Sequence, residues 1–181
     1  MADRQLLLDA CVAINLMATG RLDAIASAAG VTFLLLRQAE AEAGALRDLV
    51  GDELVRTPID FTPHVHAGTL RVVALVAAEL PRYVECARLV DDGEAATIAA
   101  AASRGVPLAT DDRKARRLCA DLGLPAPVRT LALLRQYAEE ADLTRTDVRS
   151  LLRAVQRRVS FAPPRADPDS PWWQGYFDHL T

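Results

Sequence analysis

Several acidic residues stand where one run of residue types gives way to another. Asp9 directly follows the leucine run at 6–8, and Asp111 and Asp112 follow the apolar run 106–109 through Thr110. Glu94 opens an alanine-rich stretch just after Asp91, Asp92 and Gly93. Glu40 lies early in the segment after the run 31–36; Glu42 is a rival for its place and otherwise reads as a surface residue. An acid directly after an apolar strand must be solvated, paired or bound to something. Clustered carboxylates raise one another's pKa unless a cation is shared. Hard divalent cations take oxygen ligands, and Mg²⁺ uses few carboxylates while keeping several waters. Such a centre can generate a hydroxide and stabilise a phosphoryl oxygen, which is the chemistry of phosphodiester hydrolysis. Taken singly, each acid has a plainer use. Asp111 or Asp112 could cap a helix, Glu94 could match a helix dipole, and Glu40 could be a solvated helix residue.

The elements that must position these acids follow from the apolar pattern. Residues 6–8 read as a buried strand, 12–17 and 21–29 as short helices closed by Gly20 and Gly30, and 31–36 as a second strand. The Ala/Glu-rich segment 37–50 predicts a helix stopped by Gly51. Residues 51–69, with Pro58, Pro63 and Gly68, read as a connection. A strand is expected over 70–76, a helix over 79–90, a break at 91–93 and a helix over 94–103. A short strand over 106–109, a helix from Asp112 to Gly123 and a last short strand over 125–128 come next. Helices over 130–140 and 144–158 precede a proline-rich tail ending in Trp172, Trp173, Tyr176 and Phe177. Short apolar runs alternating with helices predict an α/β fold around a mainly parallel sheet. Ligands of such sheets bind beyond the carboxyl ends of the strands, where Asp9, Asp111 and Asp112 fall. Residues 1–140 are expected to form this domain. Residues 141–181 are expected to add helices and an aromatic tail packed on it.

The composition bounds the rest. The chain has 181 residues, 51% of them hydrophobic and 25% charged, a globular balance that excludes a disordered chain. No apolar run is long enough to span a membrane. Charges at Asp3, Arg4 and Asp9 make a poor secretory signal. The three cysteines, Cys11, Cys86 and Cys119, have no paired spacing, so a disulfide framework is not expected and a reducing cytoplasm is. A net charge of −3 argues against gripping nucleic acid by bulk charge and leaves room for local basic patches.

Two such patches stand out. Arg113, Lys114, Arg116 and Arg117 directly follow the Asp pair, where they can bind a phosphate backbone. Arg145, Arg149, Arg153 and Arg157 recur every four residues, as one helical stripe that either binds phosphates or is a solvated face paired with Glu139, Glu140 and Asp147. His64 and His66 would point to one side of a strand, but no third ligand is evident, so a loop or partner contact is the better reading of them. The aromatic tail could stack bases; docking on its own domain or on a second subunit is the better reading.

Three stretches in order resemble the PIN-domain family. They are Leu6-Leu-Leu-Asp9-Ala-Cys-Val-Ala-Ile-Asn15-Leu with Gly20-Arg-Leu-Asp after it, Asp92-Gly93-Glu94-Ala95-Ala96-Thr97, and Val106-Pro107-Leu108-Ala109-Thr110-Asp111-Asp112-Arg113-Lys114-Ala115-Arg116. The wording is closest to a prokaryotic branch related to the toxins of toxin–antitoxin pairs. The resemblance implies a three-layer α/β/α sandwich and an Mg²⁺- or Mn²⁺-dependent ribonuclease. It implies Asp9, Glu40, Glu94 and Asp112 as the catalytic acids, with Asp9, Glu94, Asp111 and Asp112 at the metal. A homodimer and a small antitoxin partner are the expected assemblies. Cys11 departs from the pattern, since the family commonly has Ser, Thr or Asn there, and a thiol is a poor ligand for a hard cation. The rival reading is a catalytically weak or inactive module of the same fold that binds RNA or protein. A phosphoacceptor receiver domain fits poorly, because no Asp directly follows the run 70–76. A haloacid-type phosphatase would need an acid where Cys11 stands.

Overall fold

The computed structural model describes residues 4–50 and 53–177. Strand β1 (Gln5–Leu8) leads into helices α1 (Ala10–Thr19) and α2 (Leu22–Ala29). Strand β2 (Thr32–Leu36) is followed by a short α3 (Arg37–Glu42), strands β3 (Ala45–Val50) and β4 (Glu53–Pro58), and the helical turn α4 (Thr62–His66). Strand β5 (Leu70–Val73) passes through a 3₁₀ turn (Ala77–Glu79) into α5 (Leu80–Cys86) and α6 (Asp92–Arg104). Strand β6 (Leu108–Ala109) precedes α7 (Arg113–Asp121), α8 (Thr130–Glu140), α9 (Arg145–Val159) and α10 (Ser170–Gln174).

The main sheet has the order β5-β2-β1-β6 and every pairing in it is parallel. Leu6, Leu7 and Leu8 of β1 and all five residues of β2 are buried, as expected of central parallel strands covered on both faces. Helices cover both faces, giving the α/β/α sandwich expected. Helix α6 lies against β1, β2 and β6, flanked by α3, α5 and α7. Its buried face is nearly all alanine, from Ala95 through Ala101 around Thr97 and Ile98, so it can approach the sheet closely. Helices α1, α2, α8 and α9 pack on one another. The short helices α1 and α2 end at Gly20 and Gly30, whose φ values of 65° and 63° are left-handed and favour glycine.

The largest departure from the sequence reading is at 37–50. The helix there ends at Glu42, and residues 45–50 and 53–58 pair as the antiparallel strands β3 and β4, with Arg47 opposite Arg56. Leu46 and Asp48 alternate with Ala45 and Arg47, a period of two that alanine and glutamate upstream obscure. The expected stop at Gly51 lies outside the described residues. The connection over 51–69 therefore holds β4 and α4, and His64 and His66 stand on a helical turn rather than a strand. Strand β5 ends at Val73, the expected helix over 79–90 is the shorter α5, and the break at 91–93 is already the start of α6. The last short strand reduces to one parallel bridge, Ala109 to Val128.

The tail folds back on its own chain. Trp173 is buried, with Phe161 and Phe177 against its ring, and Trp172 meets Tyr176 edge-on. Arg145 donates to the Gly175 carbonyl at 2.5 Å and lies over the Tyr176 ring, and Arg149 donates to the Tyr176 carbonyl at 2.9 Å. Half of the arginine stripe on α9 thus holds the tail, and it does so through backbone carbonyls rather than the acids considered from sequence. Among the described residues no helix is long and apolar enough to cross a membrane.

Candidate active site

Strands β1 and β6 are neighbours, so their carboxyl ends deliver Asp9 and the Thr110–Asp112 turn to one edge of the sheet. The backbone N–H of Asp9 donates to the Ala109 carbonyl at 3.0 Å, which fixes the two turns against each other. Asp9 caps α1 and is 2% exposed. Its Oδ1 accepts from the Ala10 N–H at 2.7 Å, and its Oδ2 accepts from the Cys11 thiol at 2.9 Å and the Thr110 hydroxyl at 2.8 Å. Thr110 also accepts the Asp112 N–H at 3.1 Å, so one buried hydroxyl orients both acids.

Asp112 caps α7, its Oδ1 accepting from the N–H groups of Lys114 at 2.6 Å and Ala115 at 2.9 Å. Glu94 stands in the first turn of α6, its carboxylate held by the Asp91 N–H. Glu94 and Asp112 line one open cleft of about 530 Å³, together with Arg88, Arg113 and Lys114. Arg116 and Arg117 are not among its lining; the Nε of Arg116 is buried and has no hydrogen-bond partner among the described residues.

The electrostatics mark these acids as a group. Burial pushes the Asp9 carboxyl up against the pull of its three hydrogen bonds, and the charge of Asp112 adds to the push. Burial, then the charges of Asp9 and Asp112, push Glu94 up to about 7. Asp111 faces elsewhere. It accepts from the Thr130 N–H at 3.0 Å and hydroxyl at 2.5 Å, at the start of α8, and from the Asn15 amide at 3.2 Å. Burial raises its pKa while those bonds lower it. Asp111 ties α8 and α1 to the turn that presents Asp112.

Glu40 makes no hydrogen bond or ion pair among the described residues, whereas Glu42, exposed as read, has a backbone partner. Its Oε1 accepts from the Gly93 N–H at 2.6 Å, at the N-terminus of α6 and next to Glu94. A side chain at 93 would collide with that carboxylate, so the glycine leaves room for it. Position 42 follows the buried Ala39 at a spacing of three, yet Glu42 stays exposed and Glu40 is half-buried, so no pattern within α3 singles Glu42 out. Arg88, from the turn before α6, was also missed, because nothing in its neighbourhood distinguishes it by type.

Among the described residues, no three His, Cys, Asp or Glu side chains are gathered into a ready-made metal cage. The kind of donor nevertheless suits a hard cation: Asp9, Glu94 and Asp112 offer oxygen, their negative charges act on one another, and none has an ion-pair partner among the described residues. Cys11 spends its S–H on Asp9, and burial holds its thiol far above the usual range, so it stays neutral. The paired histidines are not part of the site. His64 meets Asp23 at 2.8 Å, bracing α4 on α2, and the Thr69 hydroxyl donates to the same carboxylate.

No curated protein and no solved structure matches the chain. A family model does: DUF3368, described as a PIN domain, matches residues 6–165. That match spans β1 to the segment beyond α9, and so takes in all the acids of the sheet edge. The chain belongs to the PIN-domain family, whose fold is of the nuclease type.

Proposed function

We propose that this protein is a divalent-cation-dependent ribonuclease, with Asp9, Glu94 and Asp112 as the acids of its centre. The observation that carries the reading is their convergence. Asp9 and Asp112 share the Thr110 hydroxyl at one sheet edge, and Glu94 lines the cleft beside Asp112. The charge of Asp112 raises the proton affinity of Asp9, the charges of both raise that of Glu94, and none of the three has an arginine or lysine partner among the described residues. Glu42 is better placed than Glu40 to complete the set, since it already rests on the backbone beside Glu94. Asp111 serves by holding the turn. A cation of the Mg²⁺ or Mn²⁺ kind held by Asp9, Glu94 and Asp112 would supply Lewis-acid charge to a phosphoryl oxygen. Around it, Thr110 fixes the Asp9 carboxylate, and Arg88, Arg113 and Lys114 face the cleft where they can orient a phosphate backbone. Glu94, poised near neutrality, can take or release a proton at its carboxylate.

The second reading, a catalytically weak binding module, draws on Cys11 beside Asp9 and on the absence of a ready-made cage among the described residues. A role as the toxin of a toxin–antitoxin pair and assembly as a homodimer belong to the same proposal. They are supported by the exposed apolar residues Val76, Leu80, Val84 and Leu89 on and around α5, of which Leu89 lines the cleft, and which suit a covering partner.

The test is a matched pair, wild type and Asp9→Asn. Mn²⁺ or Mg²⁺ should raise the melting temperature of the wild type, because a ligand that binds the native state stabilises it. Replacing residues that merely support metal ligands costs about 10–100-fold, so loss of a ligand itself should remove at least about 100-fold of the RNA cleavage, along with the thermal shift. Cleavage and shift both unchanged in Asp9→Asn would sink the reading.

A further inference from the structure

The hairpin carries a charge arrangement that its own stability does not explain. Arg47 and Arg56 stand directly opposite each other, both exposed, and neither has a carboxylate partner among the described residues. Like charges in a cross-strand pair are destabilising, and a two-stranded ribbon is marginal to begin with. The overall charge is negative, so this is a local positive feature rather than a share of a basic protein. The same strand shows the alternative: Asp48 takes both Arg158 nitrogens, at 2.7 and 3.0 Å, and neutralises it. Nothing comparable is supplied to Arg47 and Arg56.

Both arginines line a groove of about 420 Å³ whose floor includes Ile14 and Val159. Those two residues also line the adjoining groove of about 370 Å³, which reaches Cys11 and Asp111 at the edge of the acidic centre. Arg47 donates to the Ser160 hydroxyl at 2.7 Å, and Ser160 lines that second groove, so the hairpin is tied to its rim. Phe161, half-buried with Trp173 against its ring, lines the same groove. A separate cleft with Arg88, Arg113 and Lys114 is lined by Glu94 and Asp112 themselves. Two cation-lined grooves thus adjoin the acidic centre, one at Glu94 and Asp112 and the other by way of Ile14 and Val159.

We infer that the Arg47–Arg56 pair is a remote phosphate clamp for single-stranded RNA, holding the strand several nucleotides from the acidic centre. This rests on the ribonuclease reading for the direction of the path. A single strand suits the groove because its phosphates can bridge the two guanidinium groups while an unstacked base lies on Phe161. Phosphate between them also removes the repulsion that the empty pair carries.

The test reads binding without metal, in EDTA, so that it is independent of cleavage. A fluorescein-labelled RNA of about 12 nucleotides and one of about 4 are titrated by anisotropy at several salt concentrations. The proteins are wild type, Arg56→Gln, and the double variant Arg47→Gln/Arg56→Gln. Arg56 has no hydrogen bond or ion pair among the described residues, so Arg56→Gln should keep the fold, checked by its melting curve. Expected for the double variant is a loss of about tenfold or more in affinity for the longer RNA, with a salt slope shallower by about 1.4, from ~0.7 per lost phosphate contact. Arg56→Gln should show about half of that slope change, and the shorter RNA should bind all three proteins alike. Equal affinity and equal slope for the longer RNA across the set would overturn the clamp. So would an acidic peptide that needs both arginines while the RNA needs neither, which would assign the groove to a protein partner. Hairpin-dependent RNA binding in a protein whose cleavage does not depend on Asp9 would support the clamp and remove the nuclease reading.

Discussion

The two ends of α6 handle a carboxylate in opposite ways. Near its C-terminal end, Glu79 is 1% exposed yet fully served. Arg104 gives it two bonds, at 2.6 and 2.8 Å, and the Val76 N–H a third at 2.9 Å, and the guanidinium holds its carboxyl below the usual range. At the N-terminal end, burial and then the charges of Asp9 and Asp112 push Glu94 up to about 7. One end of the helix thus supplies the cation that answers a carboxylate of the preceding turn, and the other presents a carboxylate to the charges of two more. The fold has the means to neutralise an acid and leaves it unused at the sheet edge. Uncompensated charge of that kind is a marker of function rather than of stability.

The largest effect on stability is expected where the acid is answered. Glu79→Gln leaves Arg104 without its counter-charge. Breaking a fully buried pair costs about 3–5 kcal/mol, and Arg104 keeps some water, so about 2–3 kcal/mol is expected by urea denaturation at pH 7. The Glu79 carboxyl is depressed on folding. Its stabilisation is therefore present above the unfolded pKa and is lost as the pH falls through the folded value. At the other end the sign reverses. Glu94 binds its proton more tightly folded than unfolded, so the metal-free protein loses stability as the pH rises from about 4.5 to about 7. Glu94→Gln should flatten that part of the profile and raise the melting temperature at pH 8, by about 2–4 °C for each kcal/mol of repulsion relieved. If melting curves with chelator show Glu94→Gln no more stable than wild type at pH 8, the two ends are not opposites.

Why one end was readable and the other was not follows from the residues. Asp9 after three leucines and Thr110-Asp111-Asp112 after a short apolar run are local signals, and parallel pairing of β1 with β6 brings them together as expected. Glu79 reads only as an interruption of an apolar segment, because its partner Arg104 is 25 residues away and no local pattern joins them. The choice between Glu40 and Glu42 depended on a bond to the Gly93 N–H, 51 residues away, which no local pattern shows. The hairpin was hidden for a different reason. Helix propensity in the Ala/Glu-rich stretch extended past Gly44 in the reading, while the chain turns there and alternates in twos. The arginine stripe kept its helix, but half of its charges serve the tail.

A smaller effect should separate helix stability from site geometry. Gly93 lies inside the first turn of α6, and an added Cβ would displace the flexible Glu42 carboxylate rather than backbone. Alanine is the better helix former by about 0.5–1 kcal/mol, so Gly93→Ala should leave the metal-free protein as stable as wild type or slightly more so. It should also weaken the metal-dependent thermal shift, because Glu42 loses its rest on the Gly93 N–H. Glu40→Gln should change neither. A Gly93→Ala protein with an unaltered metal response would take Glu42 out of the centre.

The smallest effect is expected at Cys11, and it reports how finely Asp9 is held. The thiol donates to Asp9 Oδ2 at 2.9 Å, alongside the stronger hydroxyl donor Thr110 at 2.8 Å. A sulfur–hydrogen group is a weak donor, so it stabilises the Asp9 charge less than an oxygen would. Burial and the Asp9 charge keep the thiol protonated, which predicts slow alkylation at neutral pH despite partial exposure. Cys11→Ser puts a better donor in the same place. It should lower the pKa of Asp9 and leave stability within about 1 kcal/mol. Cleavage should be preserved or increased, because the ionised form of Asp9 is the one that can hold a cation. The shorter C–O bond opposes this by drawing the donor back from Oδ2, so the net gain should be small. A Cys11→Ser protein that melts like wild type but loses cleavage would show that the sulfur itself is required. The weaker donor would then be a feature of the site rather than a departure from it.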